Sequence, residues 1–346
     1  MNALTDRLVG TPVLPQPYVL FLGDVTFAGF AKTAFGLRDW APDKCVGEIR
    51  LAGATVTTGL EAVTAAEARA RGARALLIGV ANPGGVIPAI WRASLVEALE
   101  AGLDLIAGMH MRLSDIPEVA AAAQRLGRQL IDVRVPPTNI PIANGRKRSG
   151  KRLLTVGTDC ALGKKYTALA LADAFGARGL DVDFRATGQT GIMIAGGGVP
   201  MDAVISDFEA GAAEMLSPDA AASHWDVIEG QGAITHPAYA AVSLGLLHGS
   251  QPDIFVVCHE PGRTEMIGTA GYQLTSIEEI VELTTLLGRR TNPAIRCAGF
   301  SFNTSAMSAA EAAELMASES RRLGLPVADP VRGGPAFDAL VDSCLA

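Results

Sequence analysis

Short apolar runs ending in Gly, Asp or Asn recur along the first part of the chain: Tyr18-Val-Leu-Phe-Leu-Gly-Asp24, Ala75-Leu-Leu-Ile-Gly-Val-Ala-Asn82, Leu103-Asp-Leu-Ile-Ala-Gly108 and Leu130-Ile-Asp-Val-Arg-Val135. Between them lie Ala-rich helical stretches at 64–71, 90–101 and 116–126. Near-continuous apolar runs mark strands covered on both faces, so this alternation predicts a parallel sheet with helices on either side. The pattern pauses at 136–150, which is rich in Pro, Gly and Asn and closes on a basic cluster, and this segment reads as a linker. The alternation then restarts with a strand at 152–157, a Gly-containing loop, and a helix over 164–178 ended by Gly179. Further strands are expected at 181–186, 226–228, 253–258 and 294–301, and a last helix at 308–323. The reading is two α/β domains, 1–147 and 148–346.

Composition narrows the classes of function. A length of 346 residues fits two domains, and 49 % apolar against 19 % charged residues excludes disorder. The 38 glycines point to tight turns and close backbone approach to a ligand. With 29 basic and 36 acidic residues the net charge is −7, which argues against nucleic acid or an anionic membrane surface as partner and leaves small molecules. The five cysteines are odd in number, far apart and never in a C-x-x-C pair, so no disulfide framework or zinc site is expected, and a reducing cytoplasm fits. Residues 1–17 lack the features of a signal peptide, and no stretch offers about 20 apolar residues in a row.

The strongest chemical signal lies between the strand at 152–157 and the helix that follows: Gly157-Thr158-Asp159-Cys160-Ala-Leu-Gly163-Lys164-Lys165-Tyr166-Thr167. Glycines at both ends let main-chain N–H groups converge on phosphate oxygens, the helix N-terminus adds partial positive charge, and Lys164 adds a full one. Five residues separate the glycines instead of the usual four. Where a magnesium-nucleotide loop carries Ser or Thr after Gly-Lys, this one carries Lys165, which cannot ligate a cation. The loop therefore suits a phosphate group that is bound and not cleaved, such as those of coenzyme A, and no metal is expected. Thr158 and Thr167 keep a metal hydroxyl, and with it ATP, open as the alternative.

Three further motifs fall at predicted strand ends, where open α/β sheets bind ligands. Thr187-Gly188-Gln189-Thr190-Gly191 follows the strand ending in Arg185; Gln189 and Thr190 offer polar contacts, and Arg185 offers a bidentate partner for a carboxylate. Glu229-Gly-Gln231-Gly232 is followed by His236-Pro-Ala-Tyr239, making Glu229 and then His236 the candidates for a general base. Arg263, after the strand 253–258, is a second cation for a dicarboxylate. Cys160 and Cys258 have no neighbouring base in sequence, which disfavours a covalent cysteine mechanism. No G-x-G-x-x-G fingerprint with its following acid occurs, so a dinucleotide is poorly supported.

Taken together, Gly157 to Lys164, Thr187 to Gly191, Glu229 to Gly232 and His236 to Tyr239 resemble the family catalogued as domain of unknown function 1611. Its P-loop half is similar to dethiobiotin synthetase, which opens its loop with the same Gly-Thr-Asp and has Thr where this chain has Lys165. The resemblance implies an N-terminal Rossmann-like parallel-sheet domain followed by a P-loop NTPase-like α/β domain. It also implies a D-glutamate N-acetyltransferase of D-amino-acid catabolism that uses acetyl-CoA. Combined with the residue reading, Gly157 to Thr167 hold the acetyl-CoA phosphates, Glu229 or His236 removes the amine proton, and Arg185, Gln189, Thr190, Gln231 and Arg263 hold D-glutamate or a similar amino acid. A homo-oligomer is the base-rate expectation. The alternatives are an Mg-ATP ligase or ATPase and a non-catalytic CoA or nucleotide sensor.

Overall fold

In the computed structural model, residues 13–346 are described; most of the segment examined above for a signal peptide lies outside them. The chain forms two compact units. The first contains residues up to 137 and, separately in sequence, residues 189–203; the second contains 138–188 and 204–346.

The first unit is built from β1 (Tyr18–Gly23), α1 (Lys32–Trp40), β2 (Cys45–Arg50), α2 (Ala65–Ala70), β3 (Ala75–Ile78), α3 (Arg92–Glu100), β4 (Asp104–Ala107), α4 (Pro117–Leu126) and β5 (Leu130–Asp132). Its five strands lie in the order β2-β1-β3-β4-β5, all parallel. Every residue of β1 and β3 is buried, as expected of strands covered on both faces. Thr64 and Glu67 form a reciprocal cap that starts α2 at the residue where the sequence pattern begins.

The second unit contains β6 (Lys151–Gly157), α5 (Lys164–Ala177) and β7 (Val182–Arg185); α6 (Gln189–Ala195) follows in sequence but belongs to the first unit. The second unit continues with α7 (Glu209–Leu216), β8 (Trp225–Ile228), α8 (Ala240–Ser250), β9 (Ile254–His259), α9 (Ile277–Gly288), β10 (Arg296–Phe302), α10 (Ala309–Leu323), β11 (Val327–Ala328) and α11 (Pro335–Leu345). Its six strands run β11-β10-β9-β6-β8-β7, again all parallel. Among the described residues both sheets are thus parallel, and the Rossmann-like and P-loop-like α/β architecture is observed. Residues 138–147, part of the 136–150 linker and counted above with the first domain, fall in the second unit.

The largest departure from the sequence reading is the segment after β7. It reads as a ligand loop of the second domain, yet 189–203 joins the first unit, where α6 packs on α1. The Gln189 amide spans Gly108 O and the Arg134 guanidinium, and Thr190 Oγ1 lies 3.0 Å from Thr33 Oγ1. Lys44 Nζ donates to Ile194 O at 2.7 Å and the Tyr18 hydroxyl donates to Met193 O at 3.2 Å, so two side chains satisfy carbonyls near the helix C-terminus.

Arg185 also departs from expectation. Its guanidinium is 5 % exposed and is committed to Asp226 at 2.6 Å and Asp183 at 3.0 Å. Asp226 accepts in addition from Ser217 Oγ at 2.5 Å and pairs with His224 Nε2 at 3.1 Å. Burial alone raises an acid's pKa, but His224, Arg185 and Ser217 outweigh it and hold the Asp226 carboxyl below its ordinary value. Arg185 is therefore a buried structural cation joining β7 to β8, its charge already matched by two carboxylates of its own unit. Replacing Asp226 with Asn takes from that buried cation the nearer of its two carboxylates and should destabilise the protein by about 3 kcal/mol in urea unfolding, whereas Asp226→Asn combined with Arg185→Met should recover most of the loss.

Candidate functional site

Because β6 lies between β9 and β8 and all three are parallel, the loops leaving their C-terminal ends converge on one edge of the sheet. Residues 157–163 leave β6, 229–239 leave β8, and 260–276 leave β9. Gly163, with φ of 103°, turns the first of these into the N-terminus of α5. Gly230 is pinned against β6: its N–H donates to Thr155 Oγ1 at 2.9 Å, and a Cβ there would collide with Thr155 O.

The loop is organised on Asp159, which is fully buried. Its Oδ1 accepts from Cys160 N at 2.6 Å, and its Oδ2 accepts from Arg263 at 2.9 Å and Ile267 N at 2.8 Å. Arg263 donates a further bond to Cys160 O at 2.8 Å and pairs with Glu260. Lys164 Nζ donates to Asp159 O at 2.7 Å. Burial lowers the Lys164 pKa, while the neighbouring Cys258, Cys160, Asp159 and Glu229 push it back up.

Glu229 is nine-tenths buried at the end of β8, with Oε2 accepting from Thr187 N at 3.0 Å and Gly188 N at 3.1 Å. Burial raises its pKa against the pull of those N–H groups and of Lys165 and Lys164. Gln231 Nε2 donates to Thr187 Oγ1 at 2.9 Å, which ties the β8 loop to the end of β7. His236 is 1 % exposed and stacks on Tyr239. A main-chain N–H, from Ala238, donates to its Nδ1 at 3.1 Å, so in the neutral ring the proton sits on Nε2. That Nε2 lies 3.8 Å from Asp159 Oδ1 and has no hydrogen-bond partner. His236 therefore enters the site as a donor, and not through a basic lone pair.

Both threonines kept open as metal hydroxyls are engaged within the unit. Thr167 Oγ1 donates to Gly163 O at 3.1 Å and lies 2.7 Å from Ser301 Oγ, and Thr158 Oγ1 lies 3.0 Å from His259 Nδ1. Asp159, Cys160 and His236 bring one oxygen, sulfur and nitrogen each within 4.8 Å of one another. The donor set does not suit a metal, because Asp159 already takes three N–H groups and the His236 nitrogen on that side carries hydrogen. Lys165 and Tyr166 open the first turn of α5, with the Lys165 ammonium 4.8 Å from the Tyr166 ring centroid.

The structure thus brings Gly157, Asp159, Cys160, Lys164, Glu229, Gln231, His236 and Arg263 around one loop. Arg185 belongs to its own ion network, and Gln189 and Thr190 belong to the first unit. Sequence reasoning missed Ile267, whose contribution is a main-chain N–H and so carries no residue signature. It also missed the proximity of Cys160 to His236, which are 76 positions apart by number. A groove of about 510 Å³ adjoins the loop along His259, Arg263, Leu274, Ile277, Phe302 and Arg322.

A Gly-Lys loop on the central strand of an all-parallel sheet, behind a Rossmann-like unit, defines a two-domain P-loop protein. Residues 141–341 match the domain of unknown function DUF1611 P-loop domain, and 49–136 match the DUF1611 Rossmann-like domain. The chain belongs to the DUF1611 family. It is 49 % identical over 334 residues to a D-glutamate N-acetyltransferase of Tritonibacter scottomollicae, covering 96 % of this chain and 100 % of the relative. It is 47 % identical to a D-glutamate N-acetyltransferase of Pseudoalteromonas sp, with 96 % and 98 % covered. The crystal structure of a DUF1611 family protein from Anabaena variabilis ATCC 29413 matches with a TM-score of 0.85 at 32 % identity, over 95 % of this chain and 99 % of that one.

Asp159→Ala removes the acceptor for Ile267 N and Arg263. Amide hydrogen exchange at Ile267 and across 260–270 is expected to speed up by about tenfold or more, with the amides of β6 unaffected.

Proposed function

We propose that the protein is an acyltransferase that moves the acetyl group of acetyl-CoA onto the amine of D-glutamate, in the breakdown of D-amino acids. Near-full-length relatives of that name support the acceptor and the reaction. The observation that carries the donor is the loop: Lys164 and Lys165 begin α5 at its N-terminus, Arg263 braces the loop through Asp159, and both nearby threonine hydroxyls are held by protein partners. Such a cradle neutralises phosphates through its own cations and N–H groups. The adjoining groove has the size of an organic-ligand pocket and accommodates more than a phosphate group.

This reading constrains Glu229. In CoA the long pantetheine arm separates the pyrophosphate from the thioester, so a residue beside a phosphate-filled loop sits away from the reacting carbonyl. Glu229, whose Oε2 holds the Thr187 and Gly188 N–H groups beside Lys164 and Lys165, then positions the phosphate-binding loops rather than deprotonating the amine. The amine must reach the thioester as the free base, and the developing oxyanion must meet N–H donors.

Free thiol is expected on mixing the protein with acetyl-CoA and D-glutamate, far more slowly with L-glutamate, and at an undiminished rate in EDTA. Absence of thiol with either enantiomer would overturn the proposal. Lys164→Ala should raise the KM for acetyl-CoA about tenfold or more.

Glu229→Gln should likewise move the acetyl-CoA KM more than it lowers kcat. A kcat loss of about a hundredfold at unchanged KM would instead make Glu229 the base.

A further inference from the structure

We propose that His236 is a phosphate-binding residue, donating its Nε2–H to a phosphate oxygen of the bound acyl donor and closing the loop from the β8 side. The inference rests on the reading that residues 157–167 hold phosphates, and it extends that reading to a residue outside the loop.

His236 carries a buried hydrogen-bonding nitrogen that no protein group meets. A buried N–H without an acceptor costs on the order of 1–3 kcal/mol, and native proteins rarely retain one without a use. His236 is 1 % exposed, and its Nε2 has no partner. The ring cannot turn its proton elsewhere, because Ala238 N donates to Nδ1. Tyr239 stacks on the ring, with centroids 4.7 Å apart, and fixes its plane. The N–H is therefore held in one direction, towards Asp159 and Cys160 of the loop.

Asp159 is not its acceptor. At 3.8 Å the separation exceeds a hydrogen bond, and the carboxylate is already served by Cys160 N, Arg263 and Ile267 N. Those partners also spread the Asp159 charge, so the carboxylate does not repel an anion as an isolated one would. Lys164 and Lys165 complete a setting in which the missing acceptor is an oxyanion of high charge. A phosphate fits that description better than a single carboxylate, given the two adjacent lysines and the helix N-terminus that they begin. A metal ion is disfavoured by the same tautomer that makes His236 a donor.

The test uses the full-length protein and three substitutions. His236→Gln places an amide N–H near the position of Nε2; His236→Asn keeps an acceptor for Ala238 N without a donor towards the loop; His236→Phe keeps the stacking on Tyr239 and has neither. Expected are an acetyl-CoA KM raised about tenfold in His236→Asn and His236→Phe, a smaller change in kcat, and recovery of most of the loss in His236→Gln. Calorimetric titration with CoA and with inorganic pyrophosphate should rank the variants in the same order, and thermal melting checks that each is folded. Equal affinity for CoA and pyrophosphate in all three variants and the parent overturns the proposal. So does stoichiometric zinc in the parent that is lost in the variants, since the site would then be a metal centre. If Lys164→Ala also leaves CoA affinity unchanged, the phosphate reading of the loop has failed; if Lys164→Ala weakens CoA and the His236 variants do not, only the role of His236 has.

Discussion

A fully buried carboxylate shapes the loop edge of the second unit. Asp159 gathers the Cys160 and Ile267 main-chain N–H groups and the Arg263 guanidinium on its side chain, while its carbonyl holds Lys164. One residue thereby fixes the curvature of the β6 loop, ties the β9 loop to it, and sets the position of a buried lysine. The cost of removing a carboxylate from water is offset by these bonds, each stronger for having a charged partner. Glu229 plays a related part on β8, where two N–H groups from the end of β7 fasten it in place.

Along β7 and β8 themselves the pairing is secured by different means. There the polar interior is ionic, with Arg185, Asp183, Asp226 and His224 within mutual reach and Arg152 joined through Ser217. Buried ion pairs add little to net stability compared with apolar packing, yet they punish any arrangement that leaves one member unpaired. Such a network specifies register between short strands of four residues each, where apolar contacts alone leave slippage open.

How much of this could be read from the chain follows from which signals are local. The strands buried on both faces announce themselves as apolar runs, and the α2 and α10 N-termini are written in Thr64-x-x-Glu67 and Ser308-x-x-Glu311. The edge strand β2 was hidden because Cys45-Val-Gly-Glu-Ile-Arg50 interleaves polar residues, and Glu48 is buried only by virtue of bonds to Thr57, Thr58 and Arg50. Helix α8 carries no polar stripe to mark a period; its Gly249 sits so close to Ala210 O that no side chain fits. The P-loop was legible because Gly163, Lys164 and Lys165 stand together between an apolar strand and a helix. Arg185 was misassigned because a strand-end arginine looks the same in sequence whether its partners are Asp183 and Asp226 or a substrate. The tautomer of His236 depends on Ala238 N, and no residue pattern encodes it.

The placement of α6 has a consequence for how the chain is made and how it can change. The first unit takes its last helix from residues 189–203, beyond three elements of the second. On the ribosome, a nascent chain ending at residue 137 has all five strands of the first sheet but not the helix that packs on α1. Completion of that unit must wait until β6, α5 and β7 have emerged. A cut in the gene at the linker would likewise part the first sheet from the helix that packs on α1.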